Sequence, residues 1–540
     1  MDKNLIKLIK GLEKNRPITK KKLYNLQREY TKESGDLYSK VDIITAYKQL
    51  AGDYGIGQYD PSLVAEIRKK PSRTTSGVTP VTVLTKAYPC PGQCIFCPEP
   101  DQMPKSYLPS EPGSQRAERN QFDPYLQTYN RVQTLANMGH PIDKIELIIL
   151  GGTWSAYPKD YQIWFIRQCF RALNDIQPQK TDLKPIDYHR DEGESADWNS
   201  LIKAQKENET ALARNVGLVV ETRPDSIRTD EVIRLRKLGA TKVQLGIQFL
   251  DDNILAVNKR GHGIKEISKA FSLLRSAGFK IQAHWMVNLF GSNPKKDKEN
   301  YLKIFKDNRF RPDELKIYPC SLLADTELLN LYQQNKWQPY SHQQLVDILR
   351  FCLINTPRYC RLNRVIRDIP SPEIIAGNKQ TNLRELVEDK ILKSQQKLVE
   401  IRSREIRTEE YDLAKIKLKT TEYQTTKSKE IFLEYVTPKD DLLGFLRLSL
   451  PKEKAEIEEL NNCSIIREVH IYGQSTPLNT EKSESAQHTG LGTKLISTAK
   501  EISQQQNYKK IAVISAVGTR KYYRKLDFSD GDLYQTKKVS

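Results

Sequence analysis

Three cysteines in one short segment are the residues whose types and spacing most clearly predict chemistry in this chain. The segment is Cys90-Pro-Gly-Gln-Cys94-Ile-Phe-Cys97, which places three thiols within eight residues. Thiolates are soft ligands that suit zinc or an iron–sulfur cluster. Because a structural zinc ion takes four ligands and no Cys or His occurs in residues 98–137, we predict a 4Fe-4S cluster with one iron left open. A zinc site completed by a distant segment and three unrelated thiols are the alternatives.

A pair of glycines near the carboxyl terminus predicts a site for a phosphate group. The segment Gln487-His488-Thr489-Gly490-Leu491-Gly492-Thr493 opens a stretch in which apolar residues recur at helical spacing. The first turn of a helix presents backbone N–H groups and the positive end of the helix dipole to an anion. A lone Gly-x-Gly is a weak signal, but the strand pattern that follows at residues 510–515 strengthens it.

The composition limits the partners that the protein can have. Lys and Arg number 86 against 67 Asp and Glu in 540 residues, a formal net charge of +19, which favours a nucleic acid over a membrane or an acidic substrate. No apolar run approaches the roughly eighteen residues of a membrane span. Five of the eight cysteines are scattered and do not suggest disulfides, so we expect a cytoplasmic protein in a reducing compartment.

The first forty residues are a candidate surface for phosphates. They contain eleven Lys or Arg against five Asp or Glu, and their apolar residues recur at helical spacing. A basic helical surface can bind the nucleic-acid backbone through counterion release. A solvated helix face without a partner is the equally simple alternative.

Short apolar runs alternate with amphipathic stretches from residue 81 onward. This alternation predicts parallel strands with helices outside them, closed as a partial barrel of six β/α units. Active sites of such barrels lie at the carboxyl ends of the strands. The cysteine loop follows the first predicted strand, Gly151-Gly152-Thr153 the second, Glu221-Thr222-Arg223-Pro224-Asp225 closes the third and Gln248 ends the fourth. The predicted strands cover residues 81–85, 145–150, 216–221, 242–249, 280–287 and 315–318.

The rest of the chain divides by composition. Residues 176–212 are charged and interrupt the alternation, so we interpret them as an insertion without assignable chemistry. The basic run at residues 358–367 is typical of either an RNA-binding surface or an ordinary charged face. A zinc site that uses Cys320 is conceivable but lacks convincing ligand spacing. Alternating residues at 445–450 begin an antiparallel sheet. We therefore predict a basic helical segment for tRNA (1–75), a barrel (76–320), a connector (321–395) and a final α+β domain (396–540).

Both motifs resemble those of known families. The C-x3-C-x2-C loop, with Phe96 before the last cysteine, resembles that of radical S-adenosylmethionine enzymes. The Gln-x-x-Gly-x-Gly segment resembles the coenzyme A loop of GNAT acetyltransferases. These resemblances imply a partial (β/α)6 radical SAM barrel followed by an α+β GNAT domain, with a 4Fe-4S cluster, S-adenosylmethionine and acetyl-CoA.

The two domains in one chain are similar to the catalytic subunit of Elongator, the tRNA uridine(34) carboxymethyltransferase family. Eukaryotic members space the first two cysteines more widely, so this chain resembles the prokaryotic branch, and accessory Elongator subunits are not expected. The longest shared motifs are Phe122-Asp123-Pro124-Tyr125-Leu126-Gln127-Thr128, Asn258-Lys259-Arg260-Gly261-His262 and Gly518-Thr519-Arg520-Lys521-Tyr522-Tyr523-Arg524-Lys525, beside the cysteine, glycine and Glu221 segments.

The resemblance implies a tRNA carboxymethyluridine synthase. A radical from S-adenosylmethionine takes hydrogen from the methyl group of acetyl-CoA, the carbon radical adds to C5 of the wobble uridine, and hydrolysis leaves 5-carboxymethyluridine. A cofactor must carry this step because uridine C5 does not react by simple acyl transfer. The implied partners are a tRNA anticodon loop, whose bases can be splayed out, and an electron donor, while a homodimer stays open.

The resemblance also implies roles for individual residues. Tyr523 and Tyr522 are the candidate catalytic residues, and Cys90, Cys94 and Cys97 the candidate metal ligands. The candidate S-adenosylmethionine residues are Gly151, Gly152, Thr153, Glu221, Arg223 and Gln248. The candidate acetyl-CoA residues are Lys144, Glu468, Val469, His470, Ile471, Gly490, Leu491, Gly492, Thr493 and Tyr523.

Two hypotheses from other functional classes compete with this one. The first is a protein lysine acetyltransferase whose iron–sulfur barrel is structural, and the intact cysteine loop argues against it. The second is a tRNA-binding protein without activity, and the complete glycine loop and tyrosine pair argue against that.

We predict that deletion of residues 1–40 weakens tRNA binding and lowers its salt dependence, because phosphate contacts release counterions. Filter binding at several salt concentrations measures both. Unchanged affinity at moderate salt would leave the segment as a solvated helix surface.

Overall fold

Four short helices form the amino-terminal part of the computed structural model, which describes residues 2–70, 74, 76–177, 193–406, 411–472 and 490–539. Asp2, Thr19, Ser39 and Asp60 cap their amino ends with side-chain hydrogen bonds, as these residue types favour. Their apolar faces pack into a core of their own. The helices are α1 (Lys3–Lys14), α2 (Lys20–Glu29), α3 (Lys40–Leu50) and α4 (Pro61–Ile67).

A parallel sheet of seven strands forms the centre of the described structure, in the order β1-β2-β3-β4-β5-β6-β8. The prediction of a parallel partial barrel is confirmed, and the six expected strands are present. The strands are β1 (Thr79–Leu84), β2 (Lys144–Leu150), β3 (Arg214–Thr222), β4 (Lys242–Gln248), β5 (Lys280–Val287), β6 (Glu314–Pro319) and β8 (Arg361–Arg364), while β7 (Leu322–Leu323) pairs with β9 (Ile374–Ala376).

Helices cover the outer face of this sheet. In β2, Ile145, Leu147 and Ile149 face outward and are buried, whereas Glu146 and the other alternate residues point into the barrel. This alternation explains why the outer face packs against apolar helices while the interior can stay polar. The helices are α5 (Pro112–Arg119), α6 (Pro124–Asn137), α7 (Lys159–Asn174), α8 (Trp198–Asn208), α9 (Thr229–Lys237), α10 (Asp252–Val257), α11 (Ile264–Ser276), α12 (Pro294–Lys306), α13 (Glu327–Gln333), α14 (His342–Ile354), α15 (Leu383–Lys393) and α16 (Ile401–Arg404).

The seventh strand, β8, lies within the basic run at residues 358–367, for which the sequence allowed two interpretations, RNA binding or an ordinary charged face. The arginines of this run form ion pairs inside the molecule. Arg358 binds Glu434 at 2.7 Å and Asp440 at 2.8 Å, and Arg361 binds Glu405 at 2.6 Å. These contacts favour the structural interpretation of the run over an RNA surface.

The carboxyl-terminal residues form a mixed seven-stranded sheet in the order β10-β11-β12-β13-β14-β16-β15. It has the acetyltransferase fold expected from the sequence, with β13 and β14 parallel and the other pairs antiparallel. Its elements are β10 (Lys417–Gln424), β11 (Ser428–Val436), β12 (Leu442–Pro451), β13 (Cys463–Ile471), α17 (Leu491–Gln505), β14 (Lys510–Val513), α18 (Arg520–Arg524), β15 (Ser529–Asp530) and β16 (Gln535–Lys538).

The barrel and this second sheet share one hydrophobic core. A buried carboxylate, Asp313, lies at their junction just before β6. It accepts hydrogen bonds from Arg467 at 2.7 and 2.8 Å and from Arg275 at 3.0 Å. Burial would raise the pKa of Asp313, but Arg275, Arg467 and Arg447 outweigh it and hold that pKa well below its ordinary value.

We predict that Asp313→Ala lowers the denaturation midpoint, because it leaves buried arginines short of a partner at a cost of about 3–5 kcal/mol. A carboxyl group with a depressed pKa stabilises the fold above its unfolded value of 3.8, and the stabilisation is lost as the pH falls below that value. Urea denaturation between pH 3 and 7 measures both effects. The exposed Asp412→Asn is the control, and equal midpoints for the two variants would contradict this role for Asp313.

Candidate active site

The three cysteines lie together in the loop after β1. The backbone N–H of Cys97 donates to the carbonyl of Cys94 at 3.1 Å, which closes a turn between them. Cys94 is buried, and Cys90 and Cys97 are partly exposed. The Sγ of Cys90 lies 3.4 Å from the Oγ1 of Thr153, so the loop touches the segment that follows β2.

Two arginines place positive charge against the cysteine loop. Arg260 donates from Nη1 to the Sγ of Cys94 at 2.9 Å. Arg223 lies over Gly92, where an added Cβ would come within 2.1 Å of its Nη1. A larger residue at position 92 would have to displace the end of the Arg223 side chain, and the two guanidinium groups can compensate the charge of thiolates.

The chemistry of this loop fits an iron–sulfur cluster. Burial, with Cys94 nearby, raises the pKa of the Cys97 thiol to about 12, and coordination to a metal would deprotonate it. Across the described ranges, no three Cys, His, Asp or Glu side chains form a preformed metal-ligand group. The three thiols thus share one loop and would have to converge on the metal centre. Cys320, Cys352 and Cys360 are also buried thiols, in the core rather than at this loop.

The glycines after β2 allow the backbone to approach a ligand. Gly151 has a φ of +135°, and a Cβ there would come within 1.8 Å of the Oγ1 of Thr85. Gly152 has a φ of +91°. Both conformations favour glycine. The next residue, Thr153, contacts Cys90 directly.

Glu221 and Gln248 lie at the carboxyl ends of β3 and β4. Glu221 accepts a hydrogen bond from the Tyr107 hydroxyl at 3.1 Å, and burial raises its pKa. Gln248 has a φ of +63° and a buried Oε1 that has no partner among the residues that the structure describes. A strained backbone and an unpaired acceptor at one residue are typical of a ligand site.

Arg223 connects two of the motifs quoted from the sequence. Its guanidinium binds Asp225 at 3.0 Å and donates to the carbonyl of Arg260 at 2.6 Å. Asp225 also contacts the Nδ1 of His262 at 3.2 Å. Burial would raise the pKa of Asp225, but His262 and Arg223 lower it to about 2. The candidate S-adenosylmethionine residues therefore gather around the cysteine loop, although their binding roles stay predictions.

The glycine loop of the second sheet opens α17. Gly490 caps this helix in the left-handed conformation with a φ of +70°, while Gln487 lies outside the described residues. The hydroxyl of Tyr522 approaches Gly492, where an added Cβ would lie 3.2 Å away. Leu491 and Thr493 complete this first turn, which offers N–H groups to an anion.

The two candidate catalytic tyrosines occupy different environments. Tyr522 is 36% exposed and faces the glycine loop, whereas Tyr523 is 7% exposed and packs against Phe528 with ring centroids 5.5 Å apart. Burial raises the pKa of both phenols. Both therefore stay protonated at neutral pH and can act as proton donors.

The candidate residues on β13 extend beyond its pairing with β14, which covers only Cys463–Ile466. The side chain of Glu468 turns into the barrel and pairs with Lys280 and, at 2.8 Å, with Arg447. A contribution of Glu468 to acetyl-CoA binding would thus come from its backbone. The neighbouring candidates are Val469, His470 and Ile471, of which His470 stacks near Phe445 at 5.9 Å.

Lys144 begins β2, so it lies at the end of the barrel opposite the cysteine loop. Its register partner on β3 is Arg214, which touches the Gly518 turn before α18. The structure therefore brings Lys144 to the acetyltransferase side. With about 3.3 Å per residue, β2 spans about 20 Å from Lys144 to Leu150, the residue before Gly151.

Several residues near Glu221 were not assigned from the sequence. His284 lies 3.6 Å from Glu221 and 3.0 Å from the Oε1 of Gln244. Lys316 contacts the same Gln244 oxygen, and burial lowers the pKa of this lysine to about 8. Polar residues at strand positions that point into the barrel could have indicated this cluster from the sequence, because such residues rarely lie in an apolar core.

Comparison with known proteins agrees with this arrangement. Residues 87–301 match the model of the Radical SAM superfamily, and residues 312–393 match the Radical_SAM C-terminal domain. The chain is 39% identical to the tRNA uridine(34) acetyltransferase of Methanocaldococcus jannaschii, over 88% of this chain and 87% of that protein. It is 34% identical to human Elongator complex protein 3, over 87% and 86%. The chain belongs to the Elongator complex protein 3 family.

A solved structure of an archaeal member of the Elongator complex protein 3 family, from Methanocaldococcus infernus with residues 1–46 deleted, superimposes with a TM-score of 0.71. It is 34% identical and covers 86% of this chain and 99% of its own. Family membership makes the protein a radical SAM enzyme of the acetyltransferase type and implies a 4Fe-4S cluster and S-adenosylmethionine. Among the helices that the structure describes, none is long and apolar enough to cross a membrane.

We predict that anaerobic reconstitution loads one cluster, and that Cys94→Ser abolishes it because one of three thiolate ligands is lost. Iron and sulfide analysis with electron paramagnetic resonance measures the loading. Cys352→Ser, which alters a core thiol, is the control. Stoichiometric zinc without iron would refute the assignment.

Proposed function

We propose that the protein forms 5-carboxymethyluridine at position 34 of tRNA, with acetyl-CoA as the source of the two-carbon unit. Its relatives carry the name tRNA uridine(34) acetyltransferase. The observation that carries the proposal is that the domains of two candidate sites share one hydrophobic core. One site is the cysteine loop at one end of the barrel, and the other is the glycine loop on the sheet that packs at the opposite end. A simple acetyltransferase has no need of the first site.

On the barrel side, the chain's residues bind and orient. Cys90, Cys94 and Cys97 would hold the cluster, with Arg260 balancing its charge. When bound, the cluster and S-adenosylmethionine supply a radical able to take hydrogen from a methyl group. Gly151 lets the backbone pack against Thr85, and the candidate residues Gly152, Thr153, Glu221, Arg223 and Gln248 would bind the cofactor.

On the acetyltransferase side, the first turn of α17 would bind the pyrophosphate of acetyl-CoA through its N–H groups. Lys144 adds a positive charge from the barrel. Tyr522 and Tyr523 would orient the thioester or protonate the departing thiolate, because both phenols carry a proton.

The basic surface supports tRNA as the substrate. Three consecutive lysines are exposed at the start of α2, where they can approach phosphates: Lys20, Lys21 and Lys22. The uridine of an anticodon loop is single-stranded, so little energy is needed to move it into a pocket.

We predict that deuterium passes from trideuterated acetyl-CoA into 5′-deoxyadenosine when reductant, S-adenosylmethionine and tRNA are present. Mass spectrometry of the deoxyadenosine and of the tRNA nucleosides measures the transfer. Cys94→Ser should stop it while acetyl-CoA still binds. Acetylation of protein lysines without transfer, by enzyme with a loaded cluster, would favour the lysine acetyltransferase instead.

We predict that Tyr523→Phe and Tyr522→Phe each lower the kcat for acetyl-CoA turnover by roughly tenfold or more, since a general acid contributes at least that much. The cluster should stay intact, as its absorbance can report. Tyr508→Phe is the matched control, because Tyr508 lies elsewhere in the same domain and bonds only the Pro451 carbonyl among the described contacts. If both phenylalanine variants kept full turnover, neither hydroxyl would act on the thioester.

A further inference from the structure

The helix that carries both tyrosines depends on its neighbours for its position. α18 has five residues, and a helix this short is not stable by itself. Tyr523 fixes one side in the core of the second sheet, and the hydroxyl of Tyr522 points to Gly492. The remaining side carries Arg520 and Arg524, which lie one helical turn apart.

Both arginines bind one carboxylate that belongs to the barrel. Arg524 contacts Glu209 at 2.6 and 3.2 Å, and Arg520 contacts it at 3.4 Å. The side chain of Glu209 is 11% exposed, so water screens these contacts less than it screens a surface pair. Together, the hydrogen bonds that Arg524 donates to Glu209 and Asp530 raise its pKa.

The position of Glu209 is set by the insertion before β3, to which sequence analysis assigned no chemistry. Glu209 caps the carboxyl end of α8, where the helix dipole disfavours a negative charge. The preceding Asn208 is fully buried, accepts from the N–H of Asn215 at 2.8 Å and donates to the Ala213 carbonyl at 3.0 Å. The carboxylate is thus held by the barrel in a place that local helix energetics do not favour.

The turn before α18 also packs directly on the barrel. A Cβ at Gly518 would lie 2.7 Å from the Cβ of Arg214 and 2.8 Å from the carbonyl oxygen of Asn215. This contact fixes the start of α18, and the pair of arginines fixes its rotation. The barrel therefore helps to set the direction of Tyr522, while Tyr523 stays in the core of the second sheet.

We propose that Glu209 is a positioning residue for the acetyl-CoA reaction. Through Arg520 and Arg524 it holds α18 so that Tyr522 faces the glycine loop at Gly492, which makes the acetyltransferase half dependent on the barrel. The inference rests on the proposed function of the two tyrosines.

The test compares Glu209→Gln with Asp530→Asn. Asp530 binds the same Arg524 at 2.7 Å, but it belongs to the second sheet and is 47% exposed. Glu209→Gln should lower the kcat for tRNA-dependent acetyl-CoA turnover by roughly fivefold and leave the Kd for coenzyme A within about twofold. Asp530→Asn should change the kcat by less than about twofold. Equal effects of the two variants would overturn the proposal.

A double-mutant cycle tests the route of the effect. If Glu209 acts through its two arginines, the variant with both Glu209→Gln and Arg524→Gln should lose less kcat than the sum of the two single losses, because the Arg524 contact is already absent in Arg524→Gln. Additive losses would contradict that route. Hydrogen exchange at residues 518–525 should be faster in Glu209→Gln than in the wild-type protein. Unchanged exchange there would refute the positioning role of Glu209, whether or not the enzyme turns over acetyl-CoA. Absence of acetyl-CoA turnover in the wild-type enzyme would instead refute the proposed function.

Discussion

The buried carboxylate of Asp313 joins the two halves of the molecule. It neutralises guanidinium groups from both sides, Arg275 from the barrel and Arg467 from the second sheet, and both pairs are fully removed from water. Charges this deep are tolerated only when paired and hydrogen-bonded. A shift of one half against the other would separate these charges, so the junction favours one fixed relative position.

This fixed junction determines where the two candidate sites can be. The cysteine loop follows the carboxyl end of β1, whereas Lys144 and Glu468 lie at the opposite end. No side chain is long enough to bridge a separation of about 20 Å. The proposed reaction therefore needs a long substrate or cofactor to reach across, and acetyl-CoA with its extended arm and a splayed tRNA base both have that property.

Much of the fold could be predicted, because parallel strands alternate with helices and the motifs follow strand ends. The cysteine, Gly151 and Glu221 segments meet for that reason. β8 was not predicted, since the partners of the arginines at residues 358–361, Glu434 and Glu405, are distant in sequence. The orientation of Glu468 into the barrel and the contact of Glu209 with α18 escaped prediction for the same reason: both depend on how two domains pack, which no local pattern records.

A row of polar side chains crosses the interior of the barrel between the two candidate sites. By register, Glu221, Gln244, Gln282 and Glu314 lie side by side on neighbouring strands. Gln282 donates to Glu314 at 2.6 Å, yet its own Oε1 has no partner in the described structure. A purely structural interior would favour apolar residues here, because unpaired polar groups cost stability when buried. The other members of the row are paired inside the barrel, Glu221 with Tyr107, Gln244 with His284 and Lys316, and Glu314 with Lys242, so the unpaired acceptor of Gln282 marks the position in this row where a polar ligand could still bind.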